Sequence, residues 1–189
     1  MKRVHQFLLI ASTLAGSWLG MQAVHELGHV LTCWLTGGSV ARVVLHPLTI
    51  SRTDYASNPA PLTTVWAGPL VGVLLPLAIW GLSAAVRIRG AFVLRFFAGF
   101  CLIANGAYIA GGATSAVGDC GEMLRHGSPL WLLWLFGLAT VSAGLWLWSG
   151  QGKYFGLGEA RGTVDRVVTW VTAGACVVLV LLGLLVDGR

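Results

Sequence analysis

The sequence predicts an all-α membrane protein, a polytopic bundle of about five transmembrane helices with a small β-hairpin after the first helix. Three observations carry this reading. Hydrophobic residues make up 56% of the chain and charged ones 10%, with nine tryptophans and a mean hydropathy of +0.79, far outside the mix of an ordinary soluble domain. Five long apolar segments each come near or exceed the roughly 20 residues that a spanning helix requires. A single long hydrophilic connection separates the first segment from the second, and it is rich in β-branched residues.

The first apolar segment covers about residues 5–36. At about 1.5 Å per residue, such a helix is about 48 Å long and exceeds a hydrocarbon core of about 30 Å, so it must tilt, bend or protrude. Its polar residues Gln22, His25, Glu26, His29, Thr32, Cys33 and Thr36 recur at helical steps and form one stripe facing the bundle interior. Residues 37–61 open with Gly37-Gly38 and close with Asn58-Pro59-Ala60-Pro61. Within them, Val40 to Leu45 and Thr49 to Tyr55 flank His46-Pro47, the pattern of a hairpin. An edge strand there can pair with an extended peptide backbone, although a plain solvated loop fits the composition equally well. The remaining spans are expected at about 62–86, 91–112, 129–149 and 165–186. Gly16 with Gly20 and Gly68 with Gly72 are small-xxx-small pairs, read as ordinary packing glycines. From Gly150 to Asp165 the density of glycine argues against a helix and for a linker at the membrane interface. The 189 residues thus form one domain, with a motif-bearing core over about 5–125 and two further spans behind it.

The formal net charge of +5 does not point to nucleic acid, because the basic residues are scattered at the ends of apolar runs. Alternating spans put Lys2, Arg3, Arg87, Arg89, Arg95, Lys153, Arg161 and Arg166 on one side and only Arg42, Arg52, Arg125 and Arg189 on the other. The positive-inside rule then gives a cytoplasmic N-terminus, in an integral, multi-pass protein of a bacterial-type cell membrane. Met1-Lys2-Arg3 and the apolar stretch after it resemble a secretory signal. Cleavage is not expected, because it would leave the helix starting barely two turns before His25. The four cysteines, Cys33, Cys101, Cys120 and Cys176, are isolated and suggest neither a disulfide framework nor a CxxC metal site.

The polar stripe contains His25-Glu26-Leu27-Gly28-His29, an HExxH motif inside an apolar helix. A carboxylate near a bilayer centre costs about 2.5–3.5 kcal/mol on insertion scales and demands a partner or a wet cavity. A bound metal is the natural compensation. Four residues of helix bring the two histidines within about 40° on one face, so both imidazoles reach one zinc ion while Glu26 is left to take a proton from the metal-bound water. The competing reading is a buried polar cluster used only in helix packing. A catalytic zinc usually has three protein ligands, and the candidates for the third are Asp119, Glu122, His46, His126 and Cys120. Asp119 is the strongest, since Gly118-Asp119-Cys120-Gly121 follows the third span in a turn that lets a short carboxylate point back into the bundle. Glu122 is the alternative, as ligand or as an outer partner of the ligands. His46 and His126 read as loop histidines.

These residues resemble the site-2 proteases, a family of intramembrane zinc metalloproteases. The resemblance rests on the HExxH within a membrane helix, on Ala67-Gly68-Pro69 opening the second span, and on Asn105 followed by a glycine-rich run to Asp119. It covers about residues 20–125. It implies that His25 and His29 are metal ligands, Glu26 the catalytic glutamate, Asp119 the aspartate ligand and Asn105 the asparagine that precedes it. Departures are Gly118-Asp119-Cys120 where Leu-Asp-Gly is common, Gly72 where many members carry asparagine, and the lack of an inserted PDZ domain. Together they imply a compact, divergent branch. The resemblance also implies an active site toward the cytosol, which would invert the orientation given by the charges.

The expected activity is a zinc-dependent intramembrane endopeptidase, in which Glu26 accepts and returns a proton and Asn105 donates to the developing oxyanion. The implied cofactor is Zn2+, and the implied partners are a membrane-protein substrate with helix-breaking residues and the lipid bilayer, with room for a regulatory partner. The rival reading is a non-proteolytic membrane protein keeping the zinc site as scaffold, sensor or metal-handling element. An intact Glu26 argues against it, because a purely structural site does not need that carboxylate. The scarcity of ionisable groups in the other four spans argues against a transporter.

Overall fold

The computed structural model describes residues 2–187; Met1, Gly188 and Arg189, the last of them counted among the charges above, lie outside the described residues. The chain runs α1 (Lys2–Leu35), β1 (Ser39–Val44), β2 (Arg52–Ser57), α2 (Pro61–Ala85), α3 (Ala91–Ser115), α4 (Asp119–Arg125), α5 (Leu130–Trp148) and α6 (Arg166–Asp187). Five of these helices, all but α4, are long and apolar enough to cross a membrane. The fold is the predicted one, a helical bundle with a two-stranded antiparallel sheet after the first helix.

Helix α1 is unbroken over 34 residues, so its excess length is not resolved by a break. Helix α2 keeps its helical course through Pro69 and Pro76, as neighbouring helices in a membrane bundle permit. Helix α3 continues three residues beyond the expected end, through Gly111-Gly112 to Ser115, because Ala113 and Ile109 stay packed in a core with Val65, Cys120, Met123 and Leu133. It ends where Ala116 turns left-handed at φ 51°. Its backbone nearly touches that of α5 where Gly106 meets Gly137.

The second strand begins later than its β-branched composition suggests, at Arg52 rather than Thr49. The backbone N–H that would start it, that of Ser51, donates instead to Gln22 Oε1 on α1 at 2.8 Å. The linker from 150 to 165 is not an α-helix, as its glycines require, but two 3-10 turns at Gly152–Phe155 and Gly158–Ala160. Gln6 Nε2 ties the first of these to α1 by donating to the carbonyls of Phe155 at 3.1 Å and Gly156 at 2.8 Å. Arg89 pairs with Asp165 at 2.7 Å, so the N-terminal end of α1, the 86–90 turn and the linker share one end of the bundle. The hairpin, α4 and the C-terminal half of α1 share the other end.

Candidate metal centre

Helices α1, α2 and α3 enclose the polar stripe of α1. Gln22, His25, Glu26, His29 and Cys33 are all buried. Polar atoms so placed need partners, and four different elements supply them for His25, Glu26, His29 and Cys33, while Gln22 Nε2 is left without one.

His25 Nδ1 lies 2.7 Å from Asn105 Oδ1 on α3. Asn105 is oriented by its own amide, whose Nδ2 donates to Cys101 O at 2.8 Å, so Oδ1 must face the imidazole and His25 Nδ1 must donate. His29 Nδ1 lies 2.9 Å from Thr64 O on α2. A carbonyl only accepts, so this nitrogen donates as well. Both neutral imidazoles therefore carry a bare lone pair on Nε2. Those two nitrogens are 3.1 Å apart, and Asp119 Oδ2 sits 2.9 Å from the first and 3.5 Å from the second.

Three acceptor atoms thus converge on one point. Among the described residues, His25, His29 and Asp119 are the group of metal-ligating side chains whose donor atoms all lie within 4.8 Å of one another. Burial works to raise the Asp119 carboxyl, and its contacts with the His25 and His29 rings outweigh that and hold the carboxylate below its usual range. The centre favours positive charge. Two neutral imidazoles and one carboxylate, each imidazole oriented through its other nitrogen, are a donor set that fits a zinc ion.

The other candidates for the third position do not join this group, although Glu122 lines the same cavity. Glu122 pairs with Arg125 and with His126, the latter at 3.4 Å. His46 Nδ1 accepts the Leu48 amide within its own turn at 3.2 Å. Cys120 is fully buried, its thiol pushed up to about 11 chiefly by that burial and donating to Ile109 O at 3.4 Å. Asp119 itself is set by the Ala116–Gly118 turn, and its backbone N–H donates to the Tyr108 hydroxyl at 3.1 Å. Glu26 accepts a hydrogen bond from Thr53 Oγ1 on β2 at 2.6 Å. Asn105, expected at the oxyanion, is engaged at both ends of its amide, with His25 and with Cys101.

Sequence reasoning missed Thr64, Thr53 and the role of two glycines. A Cβ on Gly68 would run into the His29 ring and come within 2.9 Å of His25 Nε2. One on Gly72 would lie 2.9 Å from Asn105 Oδ1 and 3.0 Å from its Nδ2. Neither is an ordinary packing glycine: Gly68 leaves the space in which the imidazoles meet, and Gly72 leaves the space that the Asn105 amide fills. Asn105 thus reaches the centre from the facing helix through the room that Gly72 leaves. The signal was available only as Ala67-Gly68-Pro69, since the partners are far away in sequence.

A cavity of about 1050 Å³ opens beside the centre, lined by His25, Glu26, His29 and Asp119 together with Trp18, Ile50, Tyr55 and Tyr108. It is large enough for several residues of extended peptide.

The family model described as Peptidase M50B-like matches residues 10–115. No curated relative and no solved structure matches the chain. The matched stretch contains the HExxH, Gly68, Gly72 and Asn105, and it covers more than half of the chain. The chain belongs to the Peptidase M50B-like family, the site-2 proteases.

Proposed function

We propose that this protein is a zinc-dependent intramembrane endopeptidase, with His25, His29 and Asp119 as ligands and Glu26 as the catalytic base. The observation that carries the proposal is the convergence of three acceptor atoms beside a buried carboxylate, Glu26, that takes no part in the ligand group. When bound, zinc would polarise a peptide carbonyl and acidify water at its open position.

The protein's own residues supply the rest. Thr53 holds Oε2 of Glu26, so the proton of the attacking water falls to Oε1. The water oxygen bonds to the carbonyl carbon, and Glu26 then delivers the proton to the departing amine nitrogen as the C–N bond breaks. Asn105 and Thr64 serve the reaction by fixing the two imidazoles through Nδ1, so both Nε2 lone pairs keep one direction. The substrate is an unwound membrane segment, since a helix in lipid has its peptide groups internally bonded. Because the sheet has only two strands, β2 has an edge that such a segment can join.

A fluorogenic apolar peptide interrupted by Gly-Pro tests the reading with detergent-purified protein. Cleavage is expected, with complete loss on treatment with 1,10-phenanthroline and recovery on adding back zinc. Cleavage that is indifferent to the chelator would contradict metal dependence, and no cleavage by zinc-loaded protein would favour the scaffold or sensor reading.

A further inference from the structure

Among the polar side chains that line the catalytic cavity and take no part in the chemistry above is Tyr55 on β2. Its position follows from how β2 runs along α1. Ser51 N donates to Gln22 Oε1 at 2.8 Å, Thr53 Oγ1 to Glu26 Oε2 at 2.6 Å, and Cys33 Sγ to Ser57 O at 3.4 Å. These three contacts run in the same order along β2 and α1, so the strand follows the helix in the same direction. Tyr55, between Thr53 and Ser57, lines the same cavity as Glu26, His29 and Asp119. Alternate strand residues share a face, and Tyr55 therefore projects to the same side as Thr53, toward the catalytic stripe.

Three further points define what the phenol can do. The described structure gives its hydroxyl no hydrogen-bond partner, in contrast to Asn105, which is committed to His25 and Cys101. The oxygen of the other phenol of the cavity, Tyr108, is held at the start of α4, where it accepts the Asp119 amide while its own proton stays free to donate. Burial, together with the nearby carboxylates of Asp119 and Glu26, pushes the Tyr55 hydroxyl well above its ordinary range, so it stays protonated and is a donor throughout the neutral range.

Building on the proteolytic reading, we propose that Tyr55 is a catalytic residue whose hydroxyl donates to the carbonyl oxygen of the scissile peptide as that oxygen becomes negative. A donor placed on the hairpin has a second consequence. The strand that receives the substrate backbone also carries the group that stabilises its reacting carbonyl, so docking and activation occur on one element. Removing one such donor typically lowers kcat by about 10²–10³-fold.

The test uses the zinc-loaded full chain, the Gly-Pro-interrupted fluorogenic peptide, and a peptidyl phosphonate as a tetrahedral anionic probe. Tyr55→Phe is expected to lower kcat by about 100-fold, to change KM by no more than about threefold, and to weaken phosphonate binding, with zinc content at the wild-type level. Tyr55→Met, as a second variant without the hydroxyl, is expected to behave alike. Wild-type kcat and phosphonate affinity in Tyr55→Phe overturn the assignment, and so does loss of zinc in both variants, which would mark a structural role. Zinc-loaded wild type that neither cleaves the peptide nor binds the phosphonate overturns the proteolytic reading itself, a result distinct from either.

Discussion

Glu26→Gln is expected to abolish peptide cleavage while leaving zinc content and expression near wild type. The amide has the shape of the carboxylate and still offers an oxygen to Thr53 Oγ1, which now donates to Glu26 Oε2 at 2.6 Å. The attachment of β2 to α1 is therefore kept. What is lost is the capacity to take a proton from water and give it to a leaving amine, a contribution of about 10²–10⁴-fold for a positioned acid–base group. Glu26 is also absent from the converging ligand group, so its replacement removes no metal donor. Turnover of the fluorogenic peptide measured beside zinc content separates the two roles. Retained cleavage would refute the assignment of Glu26 as base, and loss of zinc would recast it as a ligand.

The second large effect is expected at Gly68, a residue with no chemistry of its own. Gly68→Ala places a methyl group against the His29 ring and 2.9 Å from His25 Nε2. The helix around it cannot yield easily, because the Gly28 side of α1 lies directly against the Ala67 carbonyl. Either the imidazoles turn out of line or α1 and α2 separate, and overpacking of this kind costs about 1–3 kcal/mol. Loss of zinc and a lowered unfolding midpoint are expected together. Gly81→Ala is the matched control, since nothing lies within 4 Å of a Cβ there, and it should leave both quantities near wild type. A Gly68→Ala protein with full zinc occupancy would show that the α1–α2 contact does not shape the site.

The fold was legible because membrane spans are written locally. Hydropathy alone brought each helix to within a few residues, and α3 ran past its expected end only because glycines inside a packed helix do not have to break it. The hairpin was legible from its β-branched runs, but not the start of its second strand. The Ser51 amide is claimed by Gln22, 29 residues earlier, and no pattern near Thr49 announces that. At the metal centre the same division holds. His25, Glu26 and His29 lie within one helical turn or so of each other, and Asp119 could be singled out from its turn. The residues that orient them, Asn105 and Thr64 for the imidazoles and Thr53 for the base, are recognisable only through contacts between separate elements. The place of Asn105 before Asp119 marks it in the sequence and suggests the oxyanion, whereas the structure engages it with His25 and Cys101. Its engagement with His25 follows from Gly72, whose missing side chain makes the room.

Elemental analysis of purified protein tests the central claim most directly. About one zinc per chain is expected in the wild type, as for a site with three protein ligands, with almost none in the His25→Ala, His29→Ala double variant. The same measurement on Asp119→Ala should show marked loss, and on Glu122→Ala little change, since Glu122 is paired with Arg125 and His126. Equal zinc in the wild type and the double variant, or zinc lost from Glu122→Ala and kept by Asp119→Ala, would contradict the account.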